Sequence, residues 1–434
     1  MRAASFALRM SVVGATSRFG VNTNQTIKIG FLAPLTGEVS SWGQPGLNGS
    51  LIWADWVNGQ GGILLNGQRH KIEIVAYDCG YDPERALAGA RKLIQDEDVK
   101  FLMMLGGDTF TPIQEYVRQR KILTSTLLPS DLSPDTPYLI APSEIHPIYN
   151  VTGVEWLAAN RPQLKTVALC SQKDALGLPS LATYRAAFEA TGIEIVEEVI
   201  YDPQSPDAEQ ITNQLLADNP DILCWCTAYE PMVHALTKAA YSRGYKGQLL
   251  SCTIDDYETL IKATSKEFME GFVFQFPDFD DEKLNSKSVN FNRPNAFYSE
   301  YKKRFPGSWT AVSWEYVSGL DLWRSAIEKA GNVEPVSVLA AMKHGGQAVH
   351  AFGNAEWWGD ELFGIDNALV GDWPVVSIKN GKAHIEEFRS TIDWCREHVG
   401  LLEKHMRDLG QMWDQRLVPK PSEEATRPRH FGIK

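Results

Sequence analysis

The sequence predicts an α/β protein of two doubly wound parallel-sheet lobes, and three observations carry that expectation. A strand, a turn and a helix follow one another from Ile27 to Gly62; further strand and helix repeats come behind them; from Ser143 the same pattern starts afresh. The 434 residues also exceed what a single core usually holds, so two lobes are the expectation from length.

The first unit sets the pattern. Ile27, Ile29 and Phe31 alternate with Lys28 and Gly30 as a short strand, which Pro34 and Gly37 end. Ser40-Ser41-Trp42-Gly43-Gln44 forms a polar turn. Leu47, Leu51, Ile52, Ala54 and Val57 then recur at helical spacing until Asn58-Gly59-Gln60-Gly61-Gly62 stops the helix. Ligands of open α/β sheets sit at the carboxyl ends of strands, where backbone N–H groups and helix N-termini point outward. Trp42 stands at that end, either on a ligand cleft or as a cover for the helix.

The repeats continue in order. Lys71 to Tyr77 alternates as a second strand, and Pro83 to Leu93 is a helix with Ala86, Leu87, Ala90 and Leu93 on one face. Val99 to Leu105 is almost continuously apolar, as buried parallel strands are. It ends in Gly106-Gly107-Asp108-Thr109-Phe110, and Pro112 then opens a helix carrying Ile113, Tyr116 and Val117. Ile122 to Leu128 is the fourth strand, ended by Pro129-Ser130.

In the second series, helices at Tyr149 to Asn160, Pro179 to Ala190, Asp207 to Ala217 and Pro231 to Ser242 alternate with strands at Thr166 to Cys170, Glu194 to Ile200, Ile222 to Cys226 and Gln248 to Cys252. Gly271 to Phe276 reads as a strand, Pro294 to Phe305 and Trp314 to Ala330 as helices. Val375 to Ile378 and His384 to Phe388, joined through Asn380-Gly381, read as a hairpin. Trp357-Trp358 falls in a segment read as irregular up to Asp372, where it shields a hinge, covers a cleft or packs on Trp373. From Thr391, the residues Trp394, Val399, Leu402, Met406, Leu409 and Trp413 recur as a docked amphipathic helix, and Pro419 onward reads as a mobile tail.

Composition narrows the function. A formal net charge of −12 with no basic run argues against a nucleic-acid partner, and no stretch approaches the roughly 20 apolar residues of a membrane span. Residues Met1 to Asn24 hold two short apolar runs broken by Arg9, which reads as the remnant of an export leader or as the disordered start of a cytosolic chain. Six cysteines do not make a disulfide framework. Cys224-Trp225-Cys226 lies in a strand run, where neighbours face opposite ways, so core packing is favoured over metal ligation; Cys395 with His398 and His405 is read likewise. Pro34 to Gly43 lacks a Gly-x-Gly-x-x-Gly turn, and no nucleophile elbow or His-Glu-x-x-His motif occurs, so neither an enzyme nor a cofactor is expected.

Taken together, these residues resemble the periplasmic substrate-binding proteins of ABC importers, of the leucine/isoleucine/valine-binding type. The landmarks are Pro34-Leu35-Thr36-Gly37, Trp42-Gly43, Asn58 with Gly61-Gly62-Ile63, Tyr77-Asp78 with Pro83, Gly106 through Pro112, Gly177, Tyr229 with Pro231-Met232, and Gly271 through Pro277. The resemblance implies two lobes joined by a three-crossing hinge, with a small ligand held between them. It places residues 26–141 and 273–352 in lobe one and 142–272 and 353–390 in lobe two; outside it, 1–25 is a leader remnant or disordered N-terminus and 391–434 a C-terminal helix and tail. The crossings would fall near Ala141 to Glu144, Phe272 to Pro277 and Ala351 to Ala355.

The resemblance also implies a site. In lobe one, the turns Gly107-Asp108-Thr109-Phe110 and Ser125-Thr126-Leu127-Leu128 correspond to those that hold a ligand carboxylate by backbone N–H and hydroxyl groups. Asp108 would oppose an anion unless it faces away, and Thr109 is alternatively a helix cap. In lobe two, Leu176 stands where the family has a tyrosine, Cys226 matches a second tyrosine with Tyr229 nearby, and Thr253 matches the acid that pairs a ligand ammonium, with Asp255 and Asp256 close by. Those two acids alternatively begin a helix. Tyr229 and Phe276 are core or cleft. With the amino-acid signature eroded, Trp42, Phe110, Tyr149, Trp225, Tyr229 and Phe276 instead suit an aromatic or apolar carboxylate or amide.

The implied function is capture of a small organic ligand, a branched-chain or other amino acid or an aromatic or apolar carboxylate or amide, outside the cytoplasm and its delivery to ABC permease subunits, without metal or catalysis. The alternative is a ligand-sensing receptor or regulator of the same fold.

Overall fold

A computed structural model of the chain describes residues 26–143, 148–254, 256–286 and 294–416. Its strands form two sheets. The first contains β1 (Thr26–Ala33), β2 (Ile63–Leu65), β3 (Gln68–Asp78), β4 (Phe101–Met104), β5 (Thr124–Ser125) and β6 (Leu139–Ile140), ordered β2-β3-β1-β4-β5-β6. All its pairs are parallel except the β2–β3 hairpin. β4 is buried at every position, as its continuous apolar run requires of a strand covered on both faces. Helices α1 (Gln44–Gly59), α2 (Pro83–Arg91) and α3 (Gln114–Arg120) make the crossovers. Asp82 caps α2, its carboxylate accepting the Arg85 N–H at 2.8 Å.

The second sheet repeats the device. β7 (Thr166–Gln172), β8 (Glu194–Tyr201), β9 (Ile222–Trp225), β10 (Gln248–Ser251) and β11 (Val273–Phe274) lie parallel in the order β8-β7-β9-β10-β11. Helices α4 (Val151–Asn160), α5 (Gly177–Thr191), α6 (Ala208–Leu215) and α7 (Glu230–Ser242) connect them, with α8 (Tyr257–Ala263) and α9 (Lys266–Met269) before β11. The Cys224 to Cys226 segment is wholly buried in and just beyond β9, as core packing predicts.

The later helices α10 (Pro294–Arg304) and α11 (Val312–Ala330) return to the first sheet and pack on α1. The helices cross closely because α1 has no Cβ at Gly46: one there would stand 2.1 Å from the Tyr316 ring. α12 (Pro335–Lys343) follows, and then β12 (Gln347–His350), β13 (Gly353–Trp358), β14 (Ala368–Lys379) and β15 (Lys382–Ser390) pair antiparallel. Asn380 and Gly381 both have positive φ (55° and 80°), as the turn of the β14–β15 hairpin demands.

The segment to Asp372 is therefore not irregular. It holds β13, the short helix α13 (Asp360–Phe363) and the start of β14, all stabilised by pairing distant in sequence. At Ala351 and Phe352 the chain turns from β12 into β13, and this hairpin joins the second sheet through β14, giving the order β12-β13-β14-β11-β10-β9-β7-β8 with β15 on β14. β14 pairs with β13 and bridges Ala141 in its first half and pairs with β11 and β15 in its second. Trp357 donates to the Met342 carbonyl at 3.1 Å and Trp358 meets Phe363, so neither packs on Trp373. Finally α14 (Thr391–Asp408) docks on α5 with Trp394, Cys395, Leu402 and Met406 buried. The leader and tail readings, residues 1–25 and 417–434, lie outside the described residues.

Candidate functional site

Each sheet has one place where successive connections leave in opposite directions. In the order β3-β1-β4 it lies between β1 and β4; in β8-β7-β9 it lies between β7 and β9. A crevice opens at the carboxyl ends of such strand pairs. The turns there carry Trp42 beyond β1, Gly107 to Thr109 beyond β4, Asp174 to Gly177 beyond β7 and Thr227 to Tyr229 beyond β9.

Between the two sets of turns lies a cavity of about 370 Å³, its open mouth included. Trp42, Leu105, Leu128 and Val312 line it from the first lobe. Tyr149, Leu176, Thr227, Cys252, Thr253 and Phe276 line it from the second. Among the described residues no charged side chain reaches its wall. A larger surface depression, about 610 Å³ with its open side, is lined by Arg161, Gln248, Phe268 and Phe272 at the amino ends of the second sheet's strands, the wrong end for a crevice between lobes.

The lobes touch at the cavity rim. Trp42 meets Tyr229 edge to face at 5.8 Å between centroids, and Tyr81 meets the same ring at 6.5 Å. The Tyr229 hydroxyl donates to Asp174 at 3.1 Å, and Asp174 also accepts the Leu176 and Gly177 N–H groups at 3.0 and 2.8 Å. From the first lobe, Asp108 accepts the backbone N–H of Ala175. Burial raises the pKa of both carboxyls, and the nearby Asp108 charge raises Asp174 further.

Deeper in, Tyr149 stacks on Trp373 at 4.6 Å, meets the Phe276 edge at 5.4 Å and donates to the Cys252 carbonyl at 3.4 Å. The Cys252 thiol, pushed up to about 12 by burial, donates to the Cys226 carbonyl. The Thr253 hydroxyl is buried with no hydrogen-bond partner among the described residues.

The structure thus brings Trp42, Leu128, Tyr149, Leu176 and Phe276 onto one wall, with Asp108 and Tyr229 at the rim. Other expected residues stand elsewhere. Thr109 neither caps a helix nor lines the cavity; its hydroxyl donates to Gly106 O at 2.8 Å. Four of the amides expected to grip a carboxylate are already engaged by neighbouring protein groups. Gly107 N–H donates to Asp131 at 3.0 Å, Asp108 N–H to the Tyr81 hydroxyl at 3.4 Å, Leu127 N–H to Leu105 O at 3.2 Å and Leu128 N–H to the Thr126 hydroxyl at 3.0 Å.

Phe110, Ser125, Leu127, Trp225 and Cys226 are buried off the cavity wall, because tight turns and strand alternation aim them into the lobes. Asp256 does begin α8, accepting the Thr259 N–H at 3.1 Å, while Asp255 lies outside the described residues. Sequence reasoning missed Leu105, Thr227 and Cys252 on the wall and Tyr81 and Asp174 at the rim. Leu105, Thr227 and Cys252 each follow the end of a buried strand within two residues, a signal that would have found them. Val312 arrives from α11, far along the chain, and had no such signal.

Comparison with known proteins gives a consistent picture. The periplasmic binding protein family model matches residues 26–383. A Leu/Ile/Val-binding protein of Rhizobium johnstonii is 24% identical over 360 residues, covering 79% of this chain and 90% of its own. Among solved structures, a solute-binding protein of an ABC transporter from Rhodopseudomonas palustris, in complex with 3,4-dihydroxybenzoic acid, aligns with a TM-score of 0.69 at 20% identity, covering 84% of this chain and 98% of its own. A leucine-binding protein of Thermotoga maritima aligns with a TM-score of 0.68 at 18% identity, covering 85% and 100%. Two wound lobes, a cavity between their strand ends and a family match across most of the length agree: this chain belongs to the periplasmic binding protein family and has its type I fold.

Proposed function

We propose that this protein captures a small aromatic or apolar molecule with one polar end, a carboxylate or an amide, between its lobes outside the cytoplasm, and delivers it unchanged to the permease subunits of an ABC importer. One observation carries the choice of ligand: the cavity wall is aromatic and aliphatic, with Thr227 and Thr253 hydroxyls but no charged side chain among the described residues. An α-amino acid would bury an ammonium with no carboxylate on the wall among the described residues to pair it, which costs several kcal/mol. A flat ring with one polar end buries one polar group in place of the two charges of an α-amino acid, and the threonine hydroxyls can donate to its carboxylate or amide oxygen beside the walls of Trp42, Tyr149 and Phe276. The aromatic acid bound by the Rhodopseudomonas neighbour supports this reading over the amino acids named for the Rhizobium relative.

In this reading the first sheet with its helices, α10 and α11, and the second sheet with its helices, β14 and β15, are the moving bodies, and a ligand touching both favours the closed arrangement. Calorimetric titration of the full chain with benzoate, 4-hydroxybenzoate, benzamide and leucine tests it. Binding of the aromatic compounds with little or none of leucine is expected. Leucine binding more tightly than all three would overturn the ligand class, and turnover of a bound compound would overturn delivery without chemistry. Co-purification with a regulator instead of permease subunits would favour the sensor alternative.

A further inference from the structure

We propose that Glu230, His234 and Asp256 form a site for a divalent transition-metal ion of the zinc class on the outer rim of the second lobe. Glu230 opens α7 and His234 follows it by four residues, so both side chains share one face of the helix. Asp256 comes from the turn before α8, where its Oδ1 is held by the Thr259 N–H at 3.1 Å. One ligand atom from each residue lies within 4.8 Å of the other two, and all three residues are half-buried. An ion about 2.0–2.2 Å from each atom would draw the three to about 3.5 Å from one another, a closure that rotation of these half-buried side chains can supply.

Two features favour a metal over a solvated surface. The Glu230 and His234 side chains make no hydrogen bond or ion pair with any described residue, although imidazole and carboxylate stand close to one another. The imidazole nitrogen selects the metal class: magnesium and calcium prefer oxygen alone, whereas one nitrogen and two carboxylate oxygens suit zinc and its neighbours. Three protein ligands leave a fourth position for water. Glu230 adjoins Tyr229 at the cavity rim and Asp256 lies three residues beyond Thr253 on its wall, so an ion here ties together the turns that follow β9 and β10.

The test uses the metal-free full chain dialysed against zinc chloride, with bound zinc counted, and against cobalt chloride, with visible absorption recorded. One zinc per chain is expected, with affinity reduced at least about tenfold in both His234→Ala and Glu230→Gln. Cobalt should give d–d bands without a thiolate charge-transfer band, since all six cysteines are buried. Melting of each variant without metal checks that it folds as the parent does. Absence of stoichiometric zinc, equal affinity in parent and folded variants, or a thiolate band overturns the site.

Discussion

Trp42 and Tyr229 come from opposite lobes and meet edge to face, their ring centroids 5.8 Å apart. Trp42 is both a wall of the cavity and part of the contact that shuts it. An aromatic pair contributes about 0.5–1.5 kcal/mol beyond the area it buries. Trp42→Ala should therefore weaken 4-hydroxybenzoate binding by about twofold to tenfold, in a variant that still folds but melts below the parent because a buried side chain is lost. Unchanged affinity in a folded variant would remove Trp42 from the pocket.

Thr253 offers a buried hydroxyl with no partner of its own among the described residues. Without ligand, Thr253→Val should leave stability unchanged or raise it, because an unpaired buried hydroxyl costs free energy. With 4-hydroxybenzoate, the thermal shift should shrink, as a ligand hydrogen bond is lost. A destabilised variant with undiminished ligand response would contradict this assignment.

Asp108 and Asp174 titrate above the ordinary carboxylate range in the closed arrangement, chiefly because the lobes bury them. Opening returns them to water, so the closed form binds more protons. Closure is then strongest on the acid side and weakens as pH rises through their raised values. Ligand affinity should fall as pH rises above the ordinary carboxylate value of about 4, and Asp108→Asn should flatten the slope. A parent affinity that rises with pH would refute the sign.

Two buried carboxyls act on folding itself. Burial pushes Asp131 up to about 7 and Asp321 up to about 6, against about 3.9 in an unfolded chain. Both are raised, so the folded state holds the extra protons. Their contribution is complete below about pH 4 and is lost as pH rises through 6 and 7. Melting temperature should decline over that window, less steeply in Asp131→Asn. Equal slopes in parent and variant would assign the decline to other groups.

The six cysteines are buried and unbridged, and burial raises the Cys79 thiol to about 11 and the Cys252 thiol to about 12. Thiolate is the reactive form, so a thiol reagent should label the folded protein hardly at all and the unfolded protein fully. A reductant should leave the melting temperature unchanged. Rapid labelling of folded protein would show that one of these strands opens.

How much of this was readable beforehand depends on distance along the chain. Strand β4 and the hairpin turn at Asn380-Gly381 announced themselves, because a buried strand is continuously apolar and a two-residue turn needs positive φ. β13 and the first half of β14 did not, because their partners are remote and their residues mix Gly, Asn, Glu and Asp with tryptophan. At the site, Trp42 was legible from its place at a strand end. Thr109 and Gly107 misled, since a turn's hydroxyl and amides can satisfy each other as readily as a ligand.

The sequence by itself determined the two wound α/β lobes and the strand ends where a ligand would lie, because hydrophobic period and turn residues act over a few neighbours. Only the tertiary structure decided that Val312 joins the cavity wall, that Asp108 reaches Ala175 across the cleft, and that the lobe-one amides are already bonded. Those outcomes depend on how separate segments pack and compete for the same hydrogen bonds, which no local pattern records.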